Sequence, residues 1–493
     1  MSSIEMKNSG IEWIGLIPNN WQTKRIKDLS IISTGQTPPR EDIKCFSEEK
    51  NNNYLWIKPE DLNSFCEIHE TKEYISQYGL NFIKLYSPTS VIVSGIGAGL
   101  GNIGISKNKF TTNQQNHVIS KHKNFKYLFY FMFAAKEYVK SLSVGNVLPI
   151  LNATKLKNVL ILNPPLSQQT AIANYLDHHT TKIDKEISLL EQKVEKLDEY
   201  KQALIYETVT KGLDKNVSMK DSAIEWIGMI PNHWEVKRLI KEVDYINLPK
   251  APEGTTDYLE IGDVNIHNNT YDIKNKDKLS VENARLANKN TLLISTVRPN
   301  RGGITITKYK HPVSSAFCAI NNPSKYWFYF IKTKGFLNEI IKLNMDTTYP
   351  TCKDVDIVKQ IVCVPNKKEQ EEIAKYLDEN CSVIDKKKEL INKKIELLKE
   401  YKQSLIYEAV TGKINIKDNM KIDLEKLKRL KGSFKKEEIE AIGLNFDELL
   451  KNKIIIFGSE TEFGYVGKDN NLVNSIKNRF YILTELGKSL IKE

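Results

Sequence analysis

Ile183, Ile187, Leu190, Val194, Leu197, Lys201, Leu204 and Thr208 recur at alternating spacings of four and three, with polar residues between them. The same seam returns at Ile384, Lys388, Ile391, Ile395, Leu398, Lys402, Leu405 and Ala409, so the polar break at Lys201 returns as Lys402. These heptads predict two long helices whose apolar seams need helical partners, and about thirty residues of helix run roughly 45 Å. The intervening stretches follow other periods. Residues 90–96 (SVIVSGI), 158–166 (NVLILNPPL), 291–297 (TLLISTV) and 360–365 (QIVCVP) predict strands, whereas 125–142 and 325–341 have the length and one-sided aromatic face of core helices. Rings gathered on one helical face point to a core rather than to base-stacking platforms.

The helices belong to a larger duplication. IEWIGLIPNNWQTKRI at 11–26 returns as IEWIGMIPNHWEVKRL at 224–239, and QQTAIANYLD at 168–177 returns as EQEEIAKYLD at 369–378. The order is lead string, variable insert, helix, then the same again, which predicts a pseudo-twofold tandem repeat presenting two unlike surfaces. The expected fold class is α/β (α+β) for the inserts, joined by long helices. The expected boundaries are 1–165 for the first insert domain, 166–213 for the first helix, 214–365 for the second insert domain, 366–414 for the second helix and 415–493 for an extension. That extension, ending RFYILTELGKSLI, loosely resembles a small winged-helix unit.

At 493 residues the chain is long enough for about three domains. Its net charge of +11 becomes informative once divided: 1–167 and 214–366 carry +6 and +4, while the helical stretches 168–213 and 367–412 carry −2 and 0. The surplus sits where the repeats differ, as expected if the inserts meet a polyanion and the frame does not. No apolar run approaches the ~20 residues of a membrane span, the first ten residues hold no signal segment, and the six cysteines form no CxxC pair. The expectation is a cytoplasmic protein without disulfides or bound metal.

Catalytic motifs fail on context. Gly99, Gly101 and Gly104 spell GxGxxG, yet no helical pattern follows and no carboxylate lies about twenty residues on. Asn163, Pro164 and Pro165 approach the NPPY/F motif of amino-methyltransferases, but Leu166 stands where the base-stacking aromatic belongs. Pro38, Asp42, Glu48 and Lys50 match a nuclease pattern only loosely, in polar surroundings, and His178 and His179 lack a ligand set. There is no GxxxxGK[ST], GxSxG or HExxH. What remains is loop chemistry suited to base edges: Gln36, Thr37 and Arg40 in TGQTPPR, Ser94 and Asn102 bounding SGIGAGLGN, and Asn113, Gln114 and Gln115 in TTNQQN. The second insert offers Arg298, Asn300 and Arg301 in STVRPNRGG, with Thr347 and Thr348 in MDTTYP. Asn and Gln suit adenine, Arg suits guanine, and glycines let the backbone approach phosphates.

Taken together, the repeated IEWIGxIPxxW, the TGQTPPR, GNIG and TTNQ signatures, VRPNRG, and the helix starts PPLSQQTAIANYLD and EQEEIAKYLD resemble the specificity subunits of Type I restriction-modification systems over about residues 10–414. The resemblance implies two target-recognition domains, each reading half of a bipartite DNA sequence, and two helices packed as an antiparallel coiled coil. It implies two methyltransferase subunits bringing S-adenosylmethionine, and motor-nuclease subunits bringing ATP and Mg²⁺, so that this chain itself has no cofactor and no catalytic residue. The extension past 414 departs from the family pattern. A stand-alone transcriptional regulator with a winged-helix tail and a fused methyltransferase-nuclease are the competing readings.

Overall fold

The computed structural model describes residues 5–414 and 416, except 63–64, 146–148, 266–269, 276–282 and 343–350, and beyond them one antiparallel ladder, Ile455–Gly458 with Phe480–Leu483. The winged-helix expectation for the tail therefore falls largely outside the described residues. The chain forms two compact units, 1–184 with 399–493, and 185–398. Each contains one insert, one lead string and parts of both long helices, Leu166–Lys211 and Lys367–Val410.

In the first unit a five-stranded sheet runs in the order Ile31–Thr34, Asn116–Ser120, Val91–Ser94, Ile103–Ile105, Phe65–Glu67, with only the last pair parallel. Val91, Ile92, Val93 and Ser94 are all buried, as a near-continuous apolar run requires when both faces are covered. A four-stranded sheet runs in the order Phe110–Thr112, Tyr54–Ile57, Tyr74–Ile75, Phe46–Ser47, its strands interspersed along the chain with those of the first sheet. The second unit repeats the central ladder with Asp244–Ile246, Phe317–Asn321, Thr291–Ser295 and Ile304–Ile306.

Each expected aromatic helix is in fact two. Phe125–Ala134 ends at Ala135, whose backbone (φ −82°, ψ 0°) turns the chain into Lys136–Ser141. Lys325–Ile331 gives way to Lys334–Lys342, where the Thr333 hydroxyl donates to Phe330 O at 2.7 Å and accepts from Phe336 N at 3.4 Å. That local side-chain bonding competes with the helix and breaks it. The rings are core: Tyr127, Phe131, Tyr326 and Phe330 are fully buried.

The frame of each unit is bonded through side chains. Tyr127 Oη donates to Leu162 O (3.2 Å) and Val410 O (3.4 Å), and Tyr326 Oη donates to Cys363 O (3.1 Å) and Val209 O (2.9 Å). Trp21 Nε1 donates to Gln168 (2.7 Å) and Trp234 Nε1 to Glu369 (2.9 Å). The lead strings grip helix ends: Tyr407 Oη donates to Trp13 O at 3.1 Å in one unit, and Tyr206 Oη to Trp226 O at 2.9 Å in the other.

Across the seam, Lys201 meets Asp385 and Lys394 meets Glu186, both at 2.7 Å, and Lys388 meets Asp198, so residue numbers rise along one helix as they fall along the other. The helices are antiparallel within this unit. In the first unit Lys402 meets Asp184, also at 2.7 Å. The polar breaks thus have charged partners. The Lys201 stem is buried at a seam position and its ammonium reaches the seam edge, where the Asp385 side chain is 40% exposed.

Candidate nucleic-acid interface

In the first unit two loops, at 35–36 and at 95, are tied by three main-chain bonds to the turn 112–116, whose tip is residues 113–115. Gly35 N donates to Asn116 O (3.0 Å), Gln36 N to Thr112 O (2.8 Å) and Gly95 N to Gln115 O (2.8 Å). Beneath the tip lies His117, buried, its Nε2 donating to Leu151 O at 2.7 Å, which leaves Nδ1 to accept from Thr34 Oγ1 at 3.1 Å. Burial lowers its pKa and keeps the ring neutral, as that pair of bonds requires.

Of the expected base readers, Gln36, Arg40, Gln114 and Gln115 are exposed and Thr37 is half-buried. Gln36 Oε1 accepts from Lys84 N at 3.0 Å, and the Thr37 hydroxyl is bonded to Gln114 Oε1. Arg40 lies over the Trp56 ring at 4.7 Å and pairs with Glu73 at 3.3 Å. Glu73 also binds Lys58 (2.8 Å), and that hydrogen bond holds its carboxyl below the usual range. Three other expected readers are spent on the scaffold. Ser94 is fully buried, Asn102 Nδ2 donates to Leu62 O at 2.7 Å, and buried Asn113 accepts from Gln115 N at 3.1 Å while donating to Gln115 Oε1 at 3.0 Å. Burial takes Ser94 off the surface and scaffold bonds occupy the amides of Asn102 and Asn113, so these three shape the surface rather than form it.

In the second unit, Arg298 stands in the left-handed region (φ 49°, ψ 55°), opening a tight 3₁₀ turn, Pro299–Arg301, that closes at Gly302 (φ 71°). Arg301 is exposed and Arg298 half-buried. A left-handed arginine is strained, and such strain persists where the surroundings over-determine it. The side chain of Asn300, and all of Thr347 and Thr348, lie outside the described residues.

The two glycine-bearing loops, 94–102 and 295–303, prove equivalent. Ser94 N donates to Asn102 O (2.8 Å) as Ser295 N does to Gly303 O (2.9 Å), and Leu151 N donates to Gly95 O (2.9 Å) as Cys352 N does to Thr296 O (2.8 Å). Gly97 (φ 71°) occupies the corner where the second unit has Arg298. One backbone therefore carries glycine in one unit and a guanidinium in the other.

The rejected motifs occupy ordinary structural positions. Gly104 sits in the strand Ile103–Ile105, so no helix follows the GxGxxG. Asn163 ends a strand just before the first long helix, and Asp42 caps a turn by accepting from Lys44 N at 3.3 Å. Among the described residues no cluster of three or more His, Cys, Asp or Glu side chains is arranged to hold a metal, and no helix is long and apolar enough to cross a membrane.

Comparison with known proteins gives these loops their context. The model of the Type I restriction modification DNA specificity domain matches twice, at 18–196 and 231–400. The MjaIX specificity subunit of Methanocaldococcus jannaschii is 26% identical over 389 residues, covering 71% of this chain and 84% of that protein. The MjaVIII specificity subunit of the same organism is 24% identical over 424 residues, covering 82% and 95%. A solved chain from a study of complex assembly in a type I R-M system shares the fold, with a TM-score of 0.61 at 16% identity, covering 81% of this chain and 99% of that one. Nothing in these matches supports a stand-alone regulator. Two matched domains on two equivalent scaffolds place the chain in the Type I restriction-modification DNA specificity family.

Proposed function

We propose that each unit reads one half of a bipartite duplex DNA target and that the long helices set the spacer between the halves and dock two methyltransferase subunits. The observation that carries this reading is the shared loop backbone with unlike side chains, since two half-sites of different sequence need one docking geometry and two sets of base contacts. Adenine methylation, with its S-adenosylmethionine, and ATP- and Mg²⁺-dependent translocation and cleavage belong to partner subunits. This chain supplies recognition and no catalytic group.

The test uses purified full-length chain, DNA and labelled S-adenosylmethionine. No label transfers until the methyltransferase partner is added, after which modified sites share one bipartite sequence. Transfer by the chain alone overturns the reading. Four residues added to both seams, after Lys193 and Lys394, lengthen each helix by roughly 6 Å, so the spacer grows by nearly two base pairs at ~3.4 Å per step while both half-sites persist.

A further inference from the structure

The tip formed by Asn113, Gln114 and Gln115 has a counterpart in the second unit that the amino-acid pattern conceals. Residues 314–316 read Ser-Ser-Ala, without an amide among them. Two of the bonds that shape the first tip nevertheless recur here. Ala316 N donates to Ser314 Oγ at 3.2 Å, as Gln115 N does to Asn113 Oδ1 at 3.1 Å. Thr296 N donates to Ala316 O at 3.0 Å, where Gly95 N donates to Gln115 O at 2.8 Å. The strands that follow, Phe317–Asn321 and Asn116–Ser120, pair with Thr291–Ser295 and Val91–Ser94 in equivalent registers.

The latches beneath the two tips differ by compensation. A Cβ on Gly95 would lie 2.9 Å from His117 Nε2 and 3.0 Å from Gln115 O, so the histidine forces glycine there. In the second unit Cys318 replaces the histidine and Thr296 replaces the glycine, with the Thr296 hydroxyl donating to Ala316 O at 2.9 Å. Bulk has moved from strand to loop, and the tip keeps its shape.

Ser315 is exposed, and Ser314 and Ala316 are half-buried. Resting on the DNA-specificity reading above, we infer that 314–316 is a base-reading element of the second half-site, acting through the Ser315 hydroxyl and the Ala316 methyl in place of the amides of the first unit. A hydroxyl both donates and accepts, and an alanine methyl suits the methyl of thymine. The tip is one main-chain bond from Thr296, two residues before Arg298, so the tip and the Arg298 corner are neighbours.

The experiment uses the full chain with its methyltransferase partner, and measures methylation rates on duplexes varied one base pair at a time in each half-site. Ser315→Gln combined with Ala316→Gln installs the amides of the first tip. Discrimination in one half-site should shift by roughly 5–150-fold at one or more positions, with the other half-site unchanged. The milder Ser315→Ala, which keeps the volume and removes the hydroxyl, should relax a single position in that same half-site. Unchanged preferences in both variants overturn the inference, and so does an equal loss at both half-sites, which marks a structural or phosphate role. A wild-type complex that methylates no bipartite target fails the broader reading instead, which separates the two failures.

Discussion

Tyr127 and Tyr326 hold their units through corresponding pairs of carbonyls, whereas Gly97 and Arg298 share a corner of backbone and nothing else. In the frame the side chains are the bonds, so geometry dictates their identity. In the loops the bonds that the two units share are main-chain ones, so the side chains at equivalent positions can differ. The two units thus differ in side chain where their main-chain bonds are kept.

The sharpest way to break this comparison is to truncate on both sides of it. Trp234, fully buried and bonded to Glu369, should cost ~3–5 kcal/mol of stability as Trp234→Ala. Arg301→Ala, on an exposed loop, should stay within about 0.5 kcal/mol. Urea midpoints that move equally would show that the loops are structural after all.

Arg298→Ala should forfeit ~1–3 kcal/mol of discrimination in one half-site only, read from methylation rates. Arg298→Gly should do the same while raising stability by up to about 1 kcal/mol, because glycine accepts the left-handed corner without strain. A uniform loss across sequences would make Arg298 a phosphate contact.

The frame comparison is sharpened by double-mutant cycles on Lys201–Asp385 and Lys402–Asp184. Both should give couplings of about 1 kcal/mol, limited by carboxylates whose side chains are 40% and 53% exposed. These pairs occupy matching positions of the two repeats, so a protein of residues 1–213 paired with itself would set Lys201 against Asp184. It should sediment as a dimer, and with the methyltransferase partner it should modify an inverted repeat. Unequal couplings, or a persistent monomer, would mean that the frames are not interchangeable.

The smallest effect is pH dependence. His117 in one unit and His311 in the other have pKa values lowered by burial. Each therefore contributes stability that is fully present above the unfolded value of about 6.5 and is lost as pH falls through the lowered folded value. Melting temperatures should drop between pH 7 and 5, and His117→Asn should flatten the share of the drop that comes from the first unit.

The sequence periodicity anticipated much of the frame because side chains make its contacts: the seam residues are buried or half-buried, and all four expected strands contain observed ones. The second aromatic stretch is two helices because Thr333 competes for backbone partners inside an otherwise helical pattern, and the first is two because the chain turns at Ala135. The proposed reading surface was only half legible. Ser94, Asn102 and Asn113 have the residue types of base readers, but their hydroxyl and amide groups are inside the scaffold or bonded to it. Ser314–Ala316 went unseen for the opposite reason, since a tip defined by main-chain bonds leaves no signature in residue type.

The grip of Tyr407 on Trp13 and that of Tyr206 on Trp226 are alike in space but span 394 and 20 residues of chain. Closing the longer loop costs roughly 2–3 kcal/mol more in chain entropy if nothing between has folded, and far less once the intervening unit is compact. On the ribosome the unit that holds Trp13 waits for a helix end made 394 residues later, while the 185–398 unit can close as soon as its own residues emerge. The contact order of a single repeated bond thus favours closure of the 185–398 unit ahead of the other.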